Sequence, residues 1–206
     1  MYVLKSDKRR AVIHLLIEGN SIRSTERLTG IHRDTIMRLL VRAGEGATTL
    51  LDDLMRGLRL RHVEVDEIWT FVGVKQGHIA AGRDDLQIGD QYTFVAIDQD
   101  TKLIPNFAIG KRTAANAERF MLDLAGRIRA PRPGEPKIRL QISSDGFAGY
   151  PGAIDLAFAN TADYGVIVKD FREDQEQPGR YGPPKMTATA RKVVTGDIDP
   201  YSICTS

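Results

Sequence analysis

Apolar residues recur every three or four positions over roughly the first sixty residues, which is the spacing of amphipathic helices. Three helices are predicted, from Leu4 to Glu18, from Ile22 to Leu28 and from Arg33 to Ala43. Ser21 is placed to cap the second helix, since its hydroxyl can accept a backbone N–H bond. Gly30 can supply the positive φ of a tight turn, and Gly44 is expected to end the third helix.

The order of capped helix, glycine turn and arginine-rich helix is typical of a helix-turn-helix, whose last helix enters the major groove of DNA. In that arrangement Arg33, Thr35 and Arg38 face base edges or phosphates, while Arg23 and Arg27 lie against the DNA backbone. The candidate DNA-binding residues are Arg23, Arg27, Arg33, Thr35, Arg38 and Arg42. A helical bundle with a solvated arginine face, or a protein-docking module, is the alternative.

The helical pattern continues from Glu45 to Arg61, where leucines recur at spacings of three and four residues. We interpret this segment as a connecting helix, because it holds no stretch rich in Pro or Ser. Its apolar stripe could also serve dimerisation. The expected organisation is a helix-turn-helix domain over residues 1–44, a connecting helix over 45–61 and a second domain over 62–206.

From residue 62 onward the pattern becomes strand-like, with many Val, Ile, Trp and Phe residues. Strands are predicted at 62–75, 92–98, 103–110, 138–144 and 164–169, with helices at 114–129 and 147–159. Short connections make the first three strands antiparallel neighbours. The order βββαβαβ is that of the ribonuclease-H-like arrangement. The expected fold class is therefore α/β (α+β), with an N-terminal helix-turn-helix followed by an incomplete ribonuclease-H-like domain.

Bulk composition restricts the function classes. The chain has 206 residues, of which 42% are hydrophobic, and no run of about eighteen apolar residues that would span a membrane. The single Cys204 excludes an internal disulfide and a multi-cysteine zinc site, which suits the reducing cytoplasm. Residues 1–62 carry a net charge of +5 and residues 63–206 carry −3. This asymmetry suggests that the N-terminal part binds a polyanion and that the remainder of the chain binds cations.

Two acids have the positions that catalytic carboxylates take in the ribonuclease-H-like arrangement. Its active site uses the middle of the first strand, the end of the fourth strand and a helix after the fifth; Asp66 and Asp145 lie at the first two. Neighbouring first and fourth strands would bring their side chains close enough to share a metal ion. Strand alternation is expected to point Glu67 to the opposite face, toward solvent or a helix. Helix capping or a surface ion pair is the alternative role for Asp66 and Asp145.

Several other residues have structural predictions. Asp98 and Asp100 flank a hairpin turn, where Asp is common because its side chain bonds to nearby backbone. Asp163 is expected to be solvated, and Trp69 is expected to pack against the core. The Pro- and Gly-rich segment from Phe171 to Lys192 has no helical period and is predicted to be a loop.

Three segments resemble, in the same order, motifs of the DDE transposases of the insertion-sequence-one type, the InsA–InsB family. They are Asp66-Glu67-Ile68-Trp69, Asp100-Thr101-Lys102-Leu103-Ile104 and Asp145-Gly146-Phe147-Ala148-Gly149-Tyr150. Each segment alone is weak, but the three together are specific, and the similarity extends over most of the chain. The resemblance implies a transposase of a bacterial insertion sequence that binds element ends as double-stranded DNA, as a homo-oligomer, and cleaves and transfers strands.

The resemblance also implies a metal-dependent mechanism. Asp66 would bridge two Mg²⁺ ions, or Mn²⁺ ions, and Asp145 would hold one of them. Such ions prefer hard oxygen ligands, which explains the use of Asp rather than His or Cys. Two ions about 4 Å apart can activate the nucleophile and stabilise the leaving oxygen, so no protein nucleophile is expected.

The sequence departs from the family in two respects. The four-cysteine zinc module of many relatives is absent, as is the aromatic-x-Glu-Arg-Gln-Asn stretch that carries the third acid in the family. We therefore expect a truncated copy with little or no strand-transfer activity. Arg180, Lys185, Arg191 and Lys192 could touch DNA from the predicted loop.

Two other functions fit the same sequence. A DNA-binding regulator could occupy element ends without cutting them. A ligand-responsive transcription factor would instead combine the helical module with an unrelated α/β sensor, and it predicts a closed apolar pocket in place of an acidic depression.

Overall fold

The computed structural model describes residues 4–79, 87–172 and 185–204. The chain divides into two compact units, Met1–Leu54 and Met55–Ser206. Within the described residues the first unit is helical and the second contains a six-stranded sheet and two α-helices, so the fold class is mixed α/β as predicted. Among the described residues, no helix has both the length and the apolar character that crossing a membrane requires.

The first unit consists of α1 (Ser6–Ile17), α2 (Ile22–Thr29) and α3 (Arg33–Leu54). Ser21 caps α2 as predicted, because its Oγ accepts a hydrogen bond from the backbone N–H of Ser24 at 3.1 Å. Gly30 follows α2 with a φ of 66°, which glycine adopts without the steric cost that a Cβ imposes. The helices enclose a small core of Leu4, Val12, Ile31 and Ile36, with Leu16, Ile22 and Leu39 partly buried beside it.

Helix α3 contradicts the prediction that a helix ends at Gly44 and a separate one connects the domains. One continuous helix runs through Gly44 and Gly46 to Leu54, and the following residues up to Arg61 are not helical. A glycine in a helix interior costs about 1 kcal/mol relative to alanine, but it keeps its N–H and does not interrupt the hydrogen-bond ladder. The hydroxyl of Thr48 also donates to the Gly44 carbonyl at 3.0 Å.

The second unit contains strands β1 to β6 and helices α4 and α5. The strands are β1 (His62–Val72), β2 (Gly89–Asp98), β3 (Phe107–Gly110), β4 (Leu140–Ser144), β5 (Ala162–Arg172) and β6 (Lys185–Thr195). The helices are α4 (Ala114–Arg127) and α5 (Tyr150–Phe158). The sheet order is β3-β2-β1-β4-β5-β6, in which β4 is parallel to both β1 and β5 and the other pairs are antiparallel. The first five strands and the two helices thus have the predicted ribonuclease-H-like order.

The main core lies between the sheet and α4 and α5. Val63 and Val65 of β1 and Phe94 of β2 are fully buried in it. The Phe94 ring lies 5.8 Å from that of Phe120 in α4, measured between centroids. Leu122 of α4 is 49% exposed, because the buried side of the helix is formed by Ala117, Phe120, Met121, Leu124 and Arg127.

Two strand predictions are wrong. Strand β3 begins at Phe107 rather than Leu103. Pro105 lies among the residues that were predicted to be in the strand but are not, and it has no backbone N–H to donate to a neighbouring strand. The described ends of the segment predicted as a loop, 171–172 and 185–192, instead complete β5 and begin β6, which pairs with β5. The Pro and Gly residues behind that prediction, and Arg180, lie at 173–184, outside the described residues. The described part, from 185 to 195, is rich in Thr and Val, which favour strands.

Candidate metal centre and basic surface

Asp66 and Asp145 meet because their strands are parallel neighbours. Val65 of β1 is paired with Ser144 at the end of β4, so the next residue of each strand lies at the same level of the sheet. Asp66, Glu67 and Asp145 each offer a carboxylate oxygen, and these oxygens all lie within 4.8 Å of one another. The predicted convergence of Asp66 and Asp145 is thus observed, whereas Glu67 joins them unexpectedly. These three residues are called the acidic centre below.

The conformation of Asp66 explains how two adjacent strand residues reach the same centre. Its Oδ1 accepts a hydrogen bond from the backbone N–H of Glu67 at 2.8 Å, so the carboxylate lies along the strand toward the next residue. Asp66 also borders a cavity of about 110 Å³ with Glu64, Ile68, Val95 and Ile97. The alternation of strand side chains still holds, since Glu67 is on the side of Val65, facing α5.

Glu67 is held in an unusual environment for a carboxylate. Its side chain is only 3% exposed, and its Oε2 lies 3.2 Å from Nη2 of Arg112. Its Oε1 is buried without a hydrogen bond of standard geometry. Burial raises the pKa of Glu67, an effect that the Tyr150 hydroxyl partly offsets, while the charge of Asp145 adds to the rise and Arg112 opposes it. The interior therefore leaves this carboxylate incompletely compensated.

Tyr150, the first residue of α5, is an uncharged neighbour of the Glu67 side chain. It is fully buried, and its hydroxyl oxygen also lacks a hydrogen bond of standard geometry. Burial and the nearby charges of Glu67, Asp145 and Asp66 raise the pKa of Tyr150 far above its ordinary value. The hydroxyl consequently stays protonated and is available as a donor to the carboxylates.

Asp145 is fixed by the turn that follows β4. Its Oδ1 accepts the backbone N–H of Phe147 at 3.1 Å, and its Oδ2 accepts Nη2 of Arg112 at 3.3 Å. Its carbonyl accepts a hydrogen bond from Ser144 Oγ at 2.7 Å. The Ser144 hydroxyl is in turn 2.7 Å from the hydroxyl of Tyr164 on β5. A chain of buried polar groups thus ties the residue to the interior of the sheet.

Arg112 is the principal residue of this region that the sequence analysis does not identify. It lies between β3 and α4, and its guanidinium stands 4.2 Å from the ring centroid of Phe147. From there it bridges Glu67 and Asp145. A basic residue directly before Thr113, which caps α4, is the only local signal, because its partners are 45 and 33 residues away in the chain.

The residues of the acidic centre fit a divalent cation. They provide oxygen donors, which Mg²⁺ and Mn²⁺ prefer, from two neighbouring strands. The Arg112 guanidinium pairs with two of the three carboxylates, Glu67 and Asp145, so its single positive charge leaves negative charge in excess when all three are ionised. The Glu67 oxygen without a well-formed hydrogen bond is a further sign that the pairing is incomplete.

A larger cavity, of about 290 Å³, lies at the opposite end of the sheet, where β1 and β4 begin. Its lining is mainly apolar and includes Leu60, Ile128 and Leu140, with the exposed Arg59 and Arg61 at its border. None of the acidic-centre residues lines it.

Other sequence predictions concern residues of β1, β2 and β5 outside the acidic centre. Asp98 bonds through Oδ2 to the backbone N–H of Thr101 at 3.0 Å, which confirms its turn role. Asp163 is not solvated: it is 4% exposed and accepts a hydrogen bond from Arg139 Nε at 2.8 Å. Trp69 is not in the core, since 46% of it is exposed and the Lys75 ammonium lies 5.4 Å from its ring centroid.

The predicted DNA-binding residues lie on α2 and α3 of the first unit. Arg23, Arg27, Arg33, Arg38 and Arg42 are exposed, whereas Thr35 is half-buried. Thr35, Arg38 and Arg42 follow a spacing of three and four residues, which places them on one side of α3. Arg42 also borders a groove between α1 and α3 together with Arg9 and Arg10, two arginines that were not among the predicted contacts.

No protein-family model matches this sequence, and no curated protein matches it closely. Among solved structures, the chain is similar to that in the Mos1 strand transfer complex, with 13% identity, coverage of 73% of both chains and a TM-score of 0.25. The pre-cleavage Mos1 transpososome gives 13% identity, a TM-score of 0.28 and coverage of 73% of this chain and 56% of that one. The Mos1 transposase paired-end complex with left transposon end gives 15% identity, a TM-score of 0.28, and coverage of 75% and 58%.

Proposed function

We propose that this chain is a DNA-binding, divalent-metal-dependent nuclease of the transposase type, with little strand-transfer activity of its own. The helical unit binds double-stranded DNA, and the acidic centre carries out the chemistry on the phosphodiester. The observation that carries this proposal is the meeting of Asp66 and Asp145, which are 79 residues apart in the chain, with carboxylate oxygens within 4.8 Å. Assembly as a homo-oligomer on the element ends belongs to the same proposal.

Asp66 and Asp145 hold the divalent ion in this proposal. When bound, the ion supplies positive charge for the phosphoryl oxygens, a stabilisation of several kcal/mol. Asp66 keeps its position through the Glu67 N–H, and Asp145 keeps its position through the Phe147 N–H. Arg112 contributes a further positive charge beside Asp145, where it can neutralise a phosphate oxygen.

DNA binding by the first unit rests on the exposed arginines of α2 and α3. Arginine contacts with phosphates release condensed counterions, so the affinity should fall steeply as salt increases. Arg38→Ala combined with Arg42→Ala should lower the slope of log K against log salt by about 2, one unit for each lost phosphate contact. Gel-shift titrations at several salt concentrations measure this slope. Arg132→Ala, which removes an exposed arginine of the second unit, is the matched control and should leave the slope unchanged.

Catalysis is tested by nicking of a supercoiled plasmid, which requires no knowledge of the recognition sequence. The wild type should nick DNA with Mg²⁺ or Mn²⁺ and not with EDTA. Asp66→Asn and Asp145→Asn should each reduce the rate by at least about 100-fold, because the lost stabilisation is several kcal/mol. The control Asp155→Asn removes an exposed carboxylate of α5 and should nick like the wild type. Equal nicking by Asp66→Asn and the wild type would refute the assignment.

A DNA-binding regulator without catalysis is the second candidate. It is favoured by Arg112, whose bridge between Glu67 and Asp145 is also what a purely structural ion-pair network would contain. In that case the wild type binds DNA but does not nick it with either metal ion, and Asp66→Asn binds DNA equally well. Joining of a labelled duplex to the plasmid in the same reactions measures strand transfer, and thereby tests the expectation that this chain performs little of it.

A further inference from the structure

We infer that Glu67 is a third ligand of the metal centre and that Arg112 holds its carboxylate in place until a divalent ion replaces the guanidinium. This inference rests on the proposed function only in requiring that Asp66 and Asp145 bind the ion. It adds a ligand that strand alternation alone would have excluded, and it gives Arg112 a defined part in the cycle.

The burial of Glu67 is the first step. A carboxylate taken out of water is costly unless its oxygens are paired, and this side chain is only 3% exposed. Arg112 pairs with Oε2, whereas Oε1 has no hydrogen bond of standard geometry. This incompletely bonded oxygen belongs to one of the three carboxylates of the acidic centre.

The distances between the three carboxylate oxygens are the second argument for Glu67 as a ligand. Mg²⁺ binds oxygen at about 2.0–2.1 Å in octahedral geometry, so two oxygens of its shell are about 3.0 Å apart when adjacent and about 4.2 Å apart when opposite. The three carboxylate oxygens lie within 4.8 Å of one another, so no pair has to close by more than about 2 Å. Changes in side-chain torsion angles can supply a movement of that size and bring Glu67 into the coordination shell together with Asp66 and Asp145.

The third argument compares the charge of Arg112 with that of a divalent ion. Arg112 places a single positive charge between Glu67 and Asp145, with Nη2 at 3.2 and 3.3 Å from their oxygens. A divalent ion among the same oxygens supplies twice that charge at a shorter distance, so it outcompetes the guanidinium. The Arg112 side chain is 35% exposed and rests on the face of Phe147, so solvent is directly accessible to the guanidinium when it leaves the carboxylates. Once released, it is free to contact a phosphate of the DNA.

Mn²⁺ binding to the full chain, measured by isothermal titration calorimetry without DNA, tests the inference. Glu67→Gln keeps the shape of the side chain and should weaken Mn²⁺ binding by at least about tenfold, as Asp66→Asn and Asp145→Asn should. The control Asp155→Asn should bind Mn²⁺ like the wild type. Arg112→Gln should bind at least as tightly as the wild type, because the competing cation is gone.

The outcomes separate the inference from the proposed function. If Asp66→Asn and Asp145→Asn lose Mn²⁺ while Glu67→Gln binds it normally, Glu67 is only an ion-pair partner and the inference fails, whereas the metal centre stands. Tenfold weaker binding by Arg112→Gln overturns the displacement of the guanidinium. A wild type that does not bind Mn²⁺ refutes the metal-dependent function and the inference together.

Folding is checked on the same samples by thermal unfolding. Mn²⁺ should raise the unfolding temperature of the wild type and of Asp155→Asn, because a ligand that binds only the folded state stabilises it. The rise should be smaller for Glu67→Gln at the same Mn²⁺ concentration. If Glu67→Gln does not fold, Glu67→Asp keeps the charge but shortens the side chain by one methylene, and it should show the same loss of affinity. Unchanged Mn²⁺ affinity in the folded variant contradicts the inference.

Discussion

The buried hydroxyl groups of Ser144 and Tyr164 form a hydrogen bond in which Tyr164 is the donor. The Asp145 carbonyl can only accept, so the single proton of Ser144 is used in the 2.7 Å bond to that carbonyl. Tyr164 must then donate its proton to Ser144 across 2.7 Å. Burial raises the pKa of Tyr164 to about 12, so the phenol is protonated at neutral pH and able to donate. Both residues are buried, at 0% and 1% exposure.

Because Tyr164 is the donor, the two single substitutions should lower the free energy of unfolding by different amounts. Tyr164→Phe removes one neutral hydrogen bond and leaves Ser144 bonded to Asp145, so it should lower the free energy of unfolding by about 1 kcal/mol. Ser144→Ala removes the bond to the Asp145 carbonyl and also leaves the Tyr164 hydroxyl buried without a partner. Its cost should be about 2 to 4 kcal/mol, of which the stranded hydroxyl accounts for about 1 to 3 kcal/mol.

The double variant provides the sharpest comparison. When Ser144 is already alanine, replacing Tyr164 with Phe removes the stranded hydroxyl, so it should stabilise the protein by about 1 to 3 kcal/mol. The same replacement therefore destabilises the wild type and stabilises Ser144→Ala. Such a reversal of sign is what a double-mutant cycle detects for directly coupled residues.

Urea unfolding of the full chain, followed by tryptophan fluorescence, provides the assay. The chain has one tryptophan, Trp69 in β1, so the signal reports the second unit, which contains both hydroxyl residues. If Tyr164→Phe lowers stability by the same amount in the wild type and in Ser144→Ala, the hydroxyls are not coupled and the assigned direction is wrong. If Ser144→Ala costs no more than Tyr164→Phe, the reasoning from the stranded hydroxyl fails.

Three other predictions follow from packing, capping and pairing. Phe94→Ala should lower the stability of the second unit by about 3 to 5 kcal/mol in the same fluorescence assay, because it empties a fully buried ring position; a loss below about 1 kcal/mol would contradict that packing. Ser21→Ala should cost about 1 kcal/mol by removing the cap of α2, measured as earlier loss of helical circular dichroism in urea, with Ser24→Ala as control. Arg129 lowers the pKa of Glu135 from 4.5 to about 2, so its stabilising effect is present above pH 4.5 and is lost toward pH 2. Glu135→Gln should therefore be less stable than the wild type at pH 6, and this difference should shrink as the pH falls from about 4.5; a difference that is constant with pH would refute the pairing.

Much of the fold could be predicted from the sequence, because its signals are local. The serine cap and the glycine turn define α2, and the change of pattern at residue 62 marks the start of β1. The order of strands and helices placed Asp66 in β1 and Asp145 at the end of β4, and in the structure these strands are neighbours, with Asp145 directly after β4. Local signals failed where a residue type is a poor guide, as at Gly44, where a glycine that resembles a helix stop lies inside a helix.

The composition of the acidic centre was decided only by the tertiary structure. Alternation places Glu67 on the opposite face of β1 from Asp66, and it does lie on the side of α5, yet the turned carboxylate of Asp66 brings the two together. Arg112 meets its partners only after β3, β1 and β4 are assembled in one sheet. Likewise, the sequence predicts that Asp163 is solvated, but in the structure it is buried and bonded to Arg139.

The sequence by itself determined which elements form and which two carboxylates come to the same level of the sheet, since both depend on periodicity and chain order. Only the tertiary structure decided which side chains surround those carboxylates and how much charge remains uncompensated. The physical reason is that burial and ion pairing depend on groups far apart in the chain, whose distances are fixed only when the sheet and its helices have packed.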